Sequence, residues 1–206
     1  MDRTSTALLT AYDKTHIGYL AKFLKNMGWD LLGSSGTAKY LNERGIECRD
    51  IAEIVGSPIL GHRVVTLSRE IHAALLAQDT PEDHAELARI GVPRIDLVYV
   101  DLYPLRDEAR KPEATPESVL EVTDVGGPAL LRSAAKGRRL VIVDGYGIAQ
   151  VCAFLNGNRD FGMAIKNEYD FRLSLACRAE RAVGEYCSAS ADFLAEYGLR
   201  THKLPT

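Results

Sequence analysis

The segment Ile95-Asp96-Leu97-Val98-Tyr99-Val100 constrains the fold of this chain more than any other part of its sequence. It is almost continuously apolar and rich in β-branched residues. Central strands of parallel sheets have this composition, because helices cover both faces of such sheets. Strand-like and helix-like segments alternate on either side of it, which is typical of α/β proteins. We therefore predict an α/β fold whose parallel sheet is covered on both faces.

The remaining elements are predicted from shorter patterns of apolar residues. Further strands are expected at residues 7–9, 30–32, 46–50 and 140–143. Asp13 is placed to cap the first helix, whose apolar face is formed by Ile17, Leu20, Phe23, Leu24 and Met27. A second helix is expected to end at Gly45, and further helices are expected over residues 68–78 and 81–91. An irregular loop is expected at 55–67. Beyond residue 145 the chain is expected to be mostly helical, with a break near 156–158.

Composition and charge restrict the class of protein. With 46% hydrophobic and 26% charged residues, the chain is that of a globular protein. Its 206 residues predict one α/β domain over residues 1–150 and a helical extension over 151–206 that packs on it or forms a dimer interface. The net charge of −3, without a basic stripe, argues against a nucleic-acid partner. No window approaches the roughly 18 apolar residues of a membrane span.

The cysteines and the N-terminus indicate a cytoplasmic protein. The four cysteines form neither a Cys-x-x-Cys pair nor a zinc spacing, so we predict reduced thiols and no metal site. His62 and His72 have no third residue at a metal-binding spacing. The first residues have no signal-peptide profile.

The segment from Val122 to Lys136 is the strongest indication of a functional site. It joins the carboxylate of Asp124 to the pair Gly126-Gly127, to a proline at a helix start and to a helix that ends in Lys136. Glycine lets the backbone approach a ligand closely, and the N–H groups of a first helical turn bind anions or an oxyanion. We expect Lys136 to fold back toward Asp124; the alternative is a plain loop and helix with an exposed terminal lysine.

Other loops follow strands on the same side of the predicted sheet, where α/β proteins bind ligands. The turn Ser34-Ser35-Gly36-Thr37 can hold a phosphate or can simply cap a helix. Lys14 adds a positive charge at this end, and Arg63 can contact phosphate through two N–H groups or can be an ordinary surface residue. Tyr103, just after the central strand, can bind substrate or donate a proton. The nucleophile elbow, the Walker motif and the dinucleotide fingerprint are missing from the sequence.

Five segments, in this order and spacing, resemble the N-terminal inosine monophosphate (IMP) cyclohydrolase domain of the bifunctional AICAR transformylase/IMP cyclohydrolase family. They are Asp13-Lys14-Thr15, Ser35 to Lys39, Gly61 to Ile71, Ile95 to Pro104 and Asp124 to Lys136. The resemblance covers residues 7–145 and implies a methylglyoxal synthase-like three-layer sandwich, here in a stand-alone and diverged form. It also implies a homodimer and the closure of formyl-AICAR to IMP with loss of water, without metal or organic cofactor.

The resemblance also implies the roles of individual residues. The catalytic residues would be Lys136, Asp124 and Tyr103. Residues binding a phosphorylated nucleotide or related amide substrate would be Lys14, Ser34, Ser35, Gly36, Thr37, Arg63, Thr66, Asp101, Gly126 and Gly127. Chemically, Asp124 would act as general base on a weakly nucleophilic amide. The N–H groups at Gly126-Gly127 and the charge of Lys136 would stabilise the oxyanion. Tyr103 would relay a proton to the leaving hydroxyl.

Several positions depart from the family pattern and leave alternatives open. Val65 stands where the family has lysine, Asp101 where it has asparagine and Tyr12 where it has serine. By this resemblance the first two changes remove one positive charge from the pocket and add one negative charge, a shift of about two charge units. Gly137 and the pair Ala182-Val183 also differ from the family, which has asparagine and His-Thr there. The alternatives are a diverged paralogue that catalyses another cyclisation, dehydration or amide reaction, and a non-catalytic nucleotide-binding regulatory domain. A methylglyoxal synthase activity ranks below both.

Overall fold

The computed structural model describes residues 4–61, 63–158, 165 and 167–201. The five strands within this part of the chain run in the same direction. The strands are β1 (Thr6–Ala11), β2 (Asp30–Gly33), β3 (Arg49–Asp50), β4 (Leu97–Asp101) and β5 (Leu140–Ile142). Their order in the sheet is β3-β2-β1-β4-β5, and each neighbouring pair is parallel. The predicted α/β fold with a parallel sheet is confirmed.

Ten helices of the described chain connect or follow the strands. They are α1 (Ile17–Asn26), α2 (Ser35–Asn42), α3 (Ala52–Val55), α4 (Arg69–Leu76), α5 (Pro81–Arg89), α6 (Leu105–Ala109), α7 (Pro116–Glu121), α8 (Gly126–Lys136), α9 (Gly145–Leu155) and α10 (Glu168–Thr201). The starts of α4, α5 and α7 are capped by hydroxyls that accept backbone N–H groups, from Ser68, Thr80 and Thr115. Such caps satisfy N–H groups that have no partner within the helix.

The core lies on both faces of β1 and β4. Leu8 pairs with Leu32 on one side and Val98 on the other, and Val98 in turn pairs with Val141. All four side chains are nearly inaccessible to solvent. This burial explains why the strands are continuously apolar rather than alternating.

Two predicted boundaries are wrong. Asp13 does not cap α1, because its carboxylate accepts hydrogen bonds from the N–H and hydroxyl of Thr15 (2.8 and 2.6 Å) and α1 begins only at Ile17. The third strand is two residues long instead of covering 46–50. Its N-terminal part is held by Asn42, whose amide bonds both the N–H and the carbonyl of Cys48. Side-chain hydrogen bonds of this kind compete with strand pairing.

Further differences concern segments with weak apolar patterns. The expected loop over 55–67 is preceded by α3 and contains an antiparallel bridge between Ile59 and Val64. The polar segment after β4 contains α6 and α7. Met27 lies outside the buried face of α1 and is 41% exposed. Such elements bury few side chains, so periodicity alone does not reveal them.

A close contact joins α8 to the end of α4. Arg139 is almost fully buried, and its guanidinium donates to the carbonyls of Leu75 (2.8 Å) and Ala77. These carbonyls lie at the C-terminal end of α4, where positive charge is favourable. The absence of a side chain at Gly137 allows the Leu75 carbonyl to approach α8.

The long helix α10 packs on α8 and β5. Phe171 stacks on Phe154 of α9, with ring centroids 4.5 Å apart, and Leu175 and Ala179 are buried. Arg178 donates to both carboxylate oxygens of Asp144, which follows β5. The proposed division of the chain at residue 150 stays a prediction; α9 runs across that position.

Candidate active site

Loops at the carboxyl ends of β1, β2 and β4 lie against one another. The Asp101 carboxylate accepts a hydrogen bond from the Asp13 N–H (2.6 Å). The Thr37 hydroxyl accepts one from the Ala11 N–H (3.1 Å), which ties β1 to α2. This edge of a parallel sheet is where α/β proteins bind ligands, and it carries most of the predicted site residues.

The start of α2 presents free space beside polar groups. Ser34 does not cap the helix; its hydroxyl donates to the Thr37 hydroxyl (3.0 Å). Ser35 begins α2, and a Cβ added at Gly36 would meet no atom within 4 Å. First-turn N–H groups of a helix favour an anion, so the arrangement suits a phosphate. Thr37 is fully buried and contributes through its contact with Ala11.

Lys14 and Asp101 place opposite charges beside this turn. The Lys14 ammonium donates to the carbonyls of Ala11 and Tyr12 (3.1 Å to the latter). Partial burial lowers the pKa of Lys14, while the carboxylates of Asp101 and Asp13 oppose that change. The ammonium therefore interacts with the charge of Asp101, and its hydrogen-bond partner Ala11 is in turn bonded to Thr37 of the turn.

Asp124 is held at the start of α8 by its backbone and its side chain. Its carboxylate accepts a hydrogen bond from the Gly127 N–H (2.9 Å). Its own N–H donates to the hydroxyl of Tyr186 (2.7 Å). Burial raises the pKa of Asp124 above its ordinary value of 3.8, and the two glycine N–H groups partly oppose this shift. A carboxyl with a raised pKa is a stronger base than an exposed one.

The expected oxyanion site at Gly126-Gly127 needs correction. The Gly127 N–H donates to the Asp124 carboxylate (2.9 Å), so that group stabilises the carboxylate. The absence of side chains there serves packing: a Cβ at Gly127 would overlap Asp124 and lie 2.6 Å from Leu102. A Cβ at Gly126 would lie 2.7 Å from the Thr66 hydroxyl, which places Thr66 beside Gly126.

Tyr103 lies on the rim of the site. Its ring is 49% exposed and packs edge-on against Tyr12, with centroids 5.3 Å apart. Tyr12 was predicted as a departure from the family pattern, and the two rings together form an exposed aromatic surface next to Asp101. Aromatic rings at a rim can stack on a planar ligand.

Lys136 is not brought to this edge. It ends α8, eleven residues long, and each helical residue adds about 1.5 Å, so it lies roughly 15 Å beyond Gly126. It is exposed and lies near the start of β5, at the opposite edge of the sheet. The expectation that Lys136 folds back toward Asp124 is wrong, because a straight helix separates them.

The remaining predicted residues lie in the loop before α4. Arg63 is exposed beside the bridge of Ile59 and Val64. Val65, where the family pattern has lysine, is half-buried and packs against the core. His62 lies outside the described residues. His72 bonds the Ser133 hydroxyl (2.8 Å) between α4 and α8, as expected for a packed helix residue.

The contact between Tyr186 and Asp124 was not predicted from the sequence. Tyr186 lies on α10, 62 residues after Asp124, and its hydroxyl accepts the Asp124 N–H. The tail was predicted only as a packing or dimer helix. A single tyrosine on an amphipathic helix carries no signal of such a contact, which depends on how α10 docks.

Two general searches of the described residues complete the site. No group of three His, Cys, Asp or Glu side chains in that part of the chain is arranged to hold a metal ion. No helix among the same residues has the length and apolar character needed to cross a membrane.

Comparisons with known proteins agree with this architecture. The MGS-like domain family model matches residues 16–129, more than half of the chain. The chain is 34% identical to the bifunctional purine biosynthesis protein PurH of Oceanobacillus iheyensis over 191 residues, which are 91% of this chain but only 36% of that protein. It thus spans about a third of the length of this relative. The crystal structure of ForH has a TM-score of 0.77 and 34% identity to it, covering 93% of this chain and 100% of the other. The chain belongs to the MGS-like domain family.

Proposed function

We propose that this protein catalyses a cyclohydrolase-like ring closure with loss of water, on formyl-AICAR or a close analogue. The observation that carries the proposal is Asp124: a half-buried carboxyl, bonded by the Gly127 N–H and of raised pKa, at the same sheet edge as a phosphate-compatible turn. Similarity to PurH, named as a purine biosynthesis protein, supports the substrate class. The similarity also supports a cytoplasmic location, which stays a prediction.

The proposed substrate would lie across the sheet edge. Its phosphate would meet Lys14, Ser34 and the first turn of α2, with Ser35, Gly36 and Thr37 forming that turn. Arg63 would reach the same end from its exposed loop. Thr66 and Asp101 would bind the central part of the molecule, and the heterocycle would lie between Asp124 and Tyr103.

The reaction would proceed by proton transfers at this heterocycle. The carboxamide nitrogen gives a proton to Asp124 and forms a bond to the formyl carbon. Asp124 passes this proton to the former formyl oxygen, which becomes a hydroxyl. The formamido nitrogen then loses its own proton as the ring C=N bond forms, and the hydroxyl takes up a second proton, relayed by Tyr103, and leaves as water. Since both reacting groups belong to one molecule, correct positioning supplies much of the acceleration.

The decisive experiment follows ultraviolet absorbance after formyl-AICAR is mixed with the pure protein. Formation of IMP above the uncatalysed rate, lost in Asp124→Asn, supports the proposal. A folded protein that produces no IMP contradicts it. Lys136→Ala belongs in the same series: unchanged kcat agrees with its distance from Asp124, whereas a loss assigns it to the reaction despite that distance.

We expect the rate to depend on the protonation of Asp124. The base must be ionised, so kcat rises with pH through the pKa of Asp124. Burial raises that pKa above 3.8, so the midpoint of the acid limb lies above the ordinary carboxyl value. A kcat–pH profile measures it; an acid limb at or below 3.8 contradicts a base whose pKa is raised by partial burial.

A diverged reaction is the second candidate, and two side chains favour it. Val65 packs against the core at a position where the family pattern has lysine, and Asp101 places a carboxylate near Lys14. Both changes disfavour a highly anionic substrate. If formyl-AICAR is bound but not closed, other formamido or amide ribonucleotides are the next substrates to test. Binding of nucleotides without any turnover would favour a regulatory domain.

We also propose a homodimer, formed through α10. A groove of about 720 Å³ lies between α6 and α10, lined by Arg181, Gly184, Phe193 and Glu196 among others. Two antiparallel copies of α10, related by a two-fold axis between residues 188 and 189, would set Arg181 against Glu196 and Gly184 against Phe193. This match of charge and size is what an isologous interface requires.

Sedimentation equilibrium tests the dimer with a charge swap. Arg181→Glu and Glu196→Arg are each expected to weaken association at least about ten-fold, since like charges would then face each other. The double variant is expected to restore it. A wild-type protein that sediments as a monomer at micromolar concentration contradicts the proposal.

A further inference from the structure

Asp124 is positioned from the last helix of the chain. Its N–H donates to the Tyr186 hydroxyl at 2.7 Å, and that hydroxyl donates to the Val122 carbonyl at 3.3 Å. The two bonds link both sides of the segment that leads into α8. Without the hydroxyl, a half-buried N–H would lose its partner, which is costly.

The ring of Tyr186 is itself fixed by packing. Tyr186 is 8% exposed and forms a small apolar cluster with Leu105 and Val119. Leu105 begins α6, and its N–H donates to the carbonyl of Tyr103 (2.8 Å). The ring therefore packs against the start of α6, the helix that follows the candidate proton relay Tyr103. Its hydroxyl binds the backbone of the candidate base Asp124.

A shared pocket connects the same two tyrosines. Tyr103 and Tyr186 both line a depression of about 210 Å³, together with Leu102 and Ala182. Burial raises the pKa of Tyr186, so its hydroxyl stays protonated near neutral pH and can donate and accept at once.

We propose that Tyr186 is a positioning residue for the ring-closing reaction: it holds the backbone of Asp124 and supports the loop of Tyr103, so that α10 completes the site. This inference rests on the proposed function. It assigns no contact between Tyr186 and substrate. A displacement of a base by about 1 Å can cost two orders of magnitude in rate, so the loss of this hydrogen bond should appear in kcat.

The test replaces the hydroxyl alone. Tyr186→Phe keeps the ring in its cluster and is expected to lower kcat for formyl-AICAR about ten-fold, with KM changed less than about two-fold. The matched control is Tyr169→Phe, which removes a hydroxyl from an exposed tyrosine of the same helix. That variant is expected to behave as wild type.

Hydrogen exchange at the Asp124 amide separates this inference from the proposed function. Loss of the Tyr186 hydroxyl is expected to accelerate exchange of this amide about ten-fold or more. Faster exchange together with lower kcat supports the inference. Unchanged exchange overturns it, and so does an unchanged kcat in an active protein. If the wild type does not close formyl-AICAR, the proposed function fails. The exchange rate of the Asp124 amide in Tyr186→Phe then decides by itself whether Tyr186 positions this residue.

Discussion

Asp124→Asn is expected to lower kcat for ring closure about a thousand-fold, because general base catalysis contributes roughly two to four orders of magnitude. Asparagine has nearly the same shape, and its carbonyl oxygen can still accept the Gly127 N–H. The start of α8 should therefore keep its geometry while the proton acceptor is lost. KM should change little, since Asp124 is not among the residues proposed to hold the phosphate. Steady-state kinetics of IMP formation measure both constants.

Asp30→Asn is the matched control for this prediction. Asp30 begins β2 at the opposite edge of the sheet and is exposed. The same chemical change there is expected to leave kcat within the error of the assay. An Asp124→Asn variant that is folded and retains most of its activity would exclude Asp124 as the base and leave positioning as the source of any catalysis.

Gly137→Ala should lower the free energy of unfolding by about 3 kcal/mol, at the upper end of the cost of overpacking a core. An added Cβ would overlap the Leu75 carbonyl oxygen and lie 3.0 Å from the Leu75 carbonyl carbon. Both atoms belong to the backbone of α4, so relief requires a shift of one helix against the other. The φ angle of Gly137 is −76°, which alanine adopts readily, so the effect is steric. Such a change lowers Tm by about 9 °C in a chain of this size.

Gly18→Ala separates steric overlap from the general effect of adding a methyl group. Gly18 lies in α1, and a Cβ there would meet no atom within 4 Å. Alanine in a helix is favoured over glycine by about 0.5 kcal/mol or more, so this variant should be slightly more stable than wild type. Thermal unfolding of the two variants measures the contrast. Equal stability of both would contradict the close approach of α4 and α8.

The central strand and the order of elements were predictable from sequence because burial on both faces leaves a continuous apolar pattern. The segment around Val98 shows this most clearly. The glycine pair that begins α8 and the turn that begins α2 were also recognisable, since their chemistry depends on residues adjacent in the chain. The short helices α6 and α7 were missed, because each buries only one side chain among the described residues.

The site depended on longer-range geometry. Gly126 and Gly127 lie near Asp124, and the N–H of Gly127 donates to the Asp124 carboxylate. Lys136 belongs to the same sequence segment as Asp124 but lies at the other edge of the sheet. The eleven residues of helix α8 keep the two side chains apart. Tyr186 lies far away in sequence and contacts Asp124 directly.

The sequence by itself determined the fold class, and it predicted the sheet edge of the candidate site and Asp124 as the carboxylate there. These follow from local patterns, in which neighbouring residues share a strand, a turn or the start of a helix. Only the tertiary structure decided which groups lie next to Asp124: Tyr186 contacts it, and Lys136 lies at the far end of α8. The direction of α8 and the docking of α10 set those distances, and both result from packing between residues far apart in the chain.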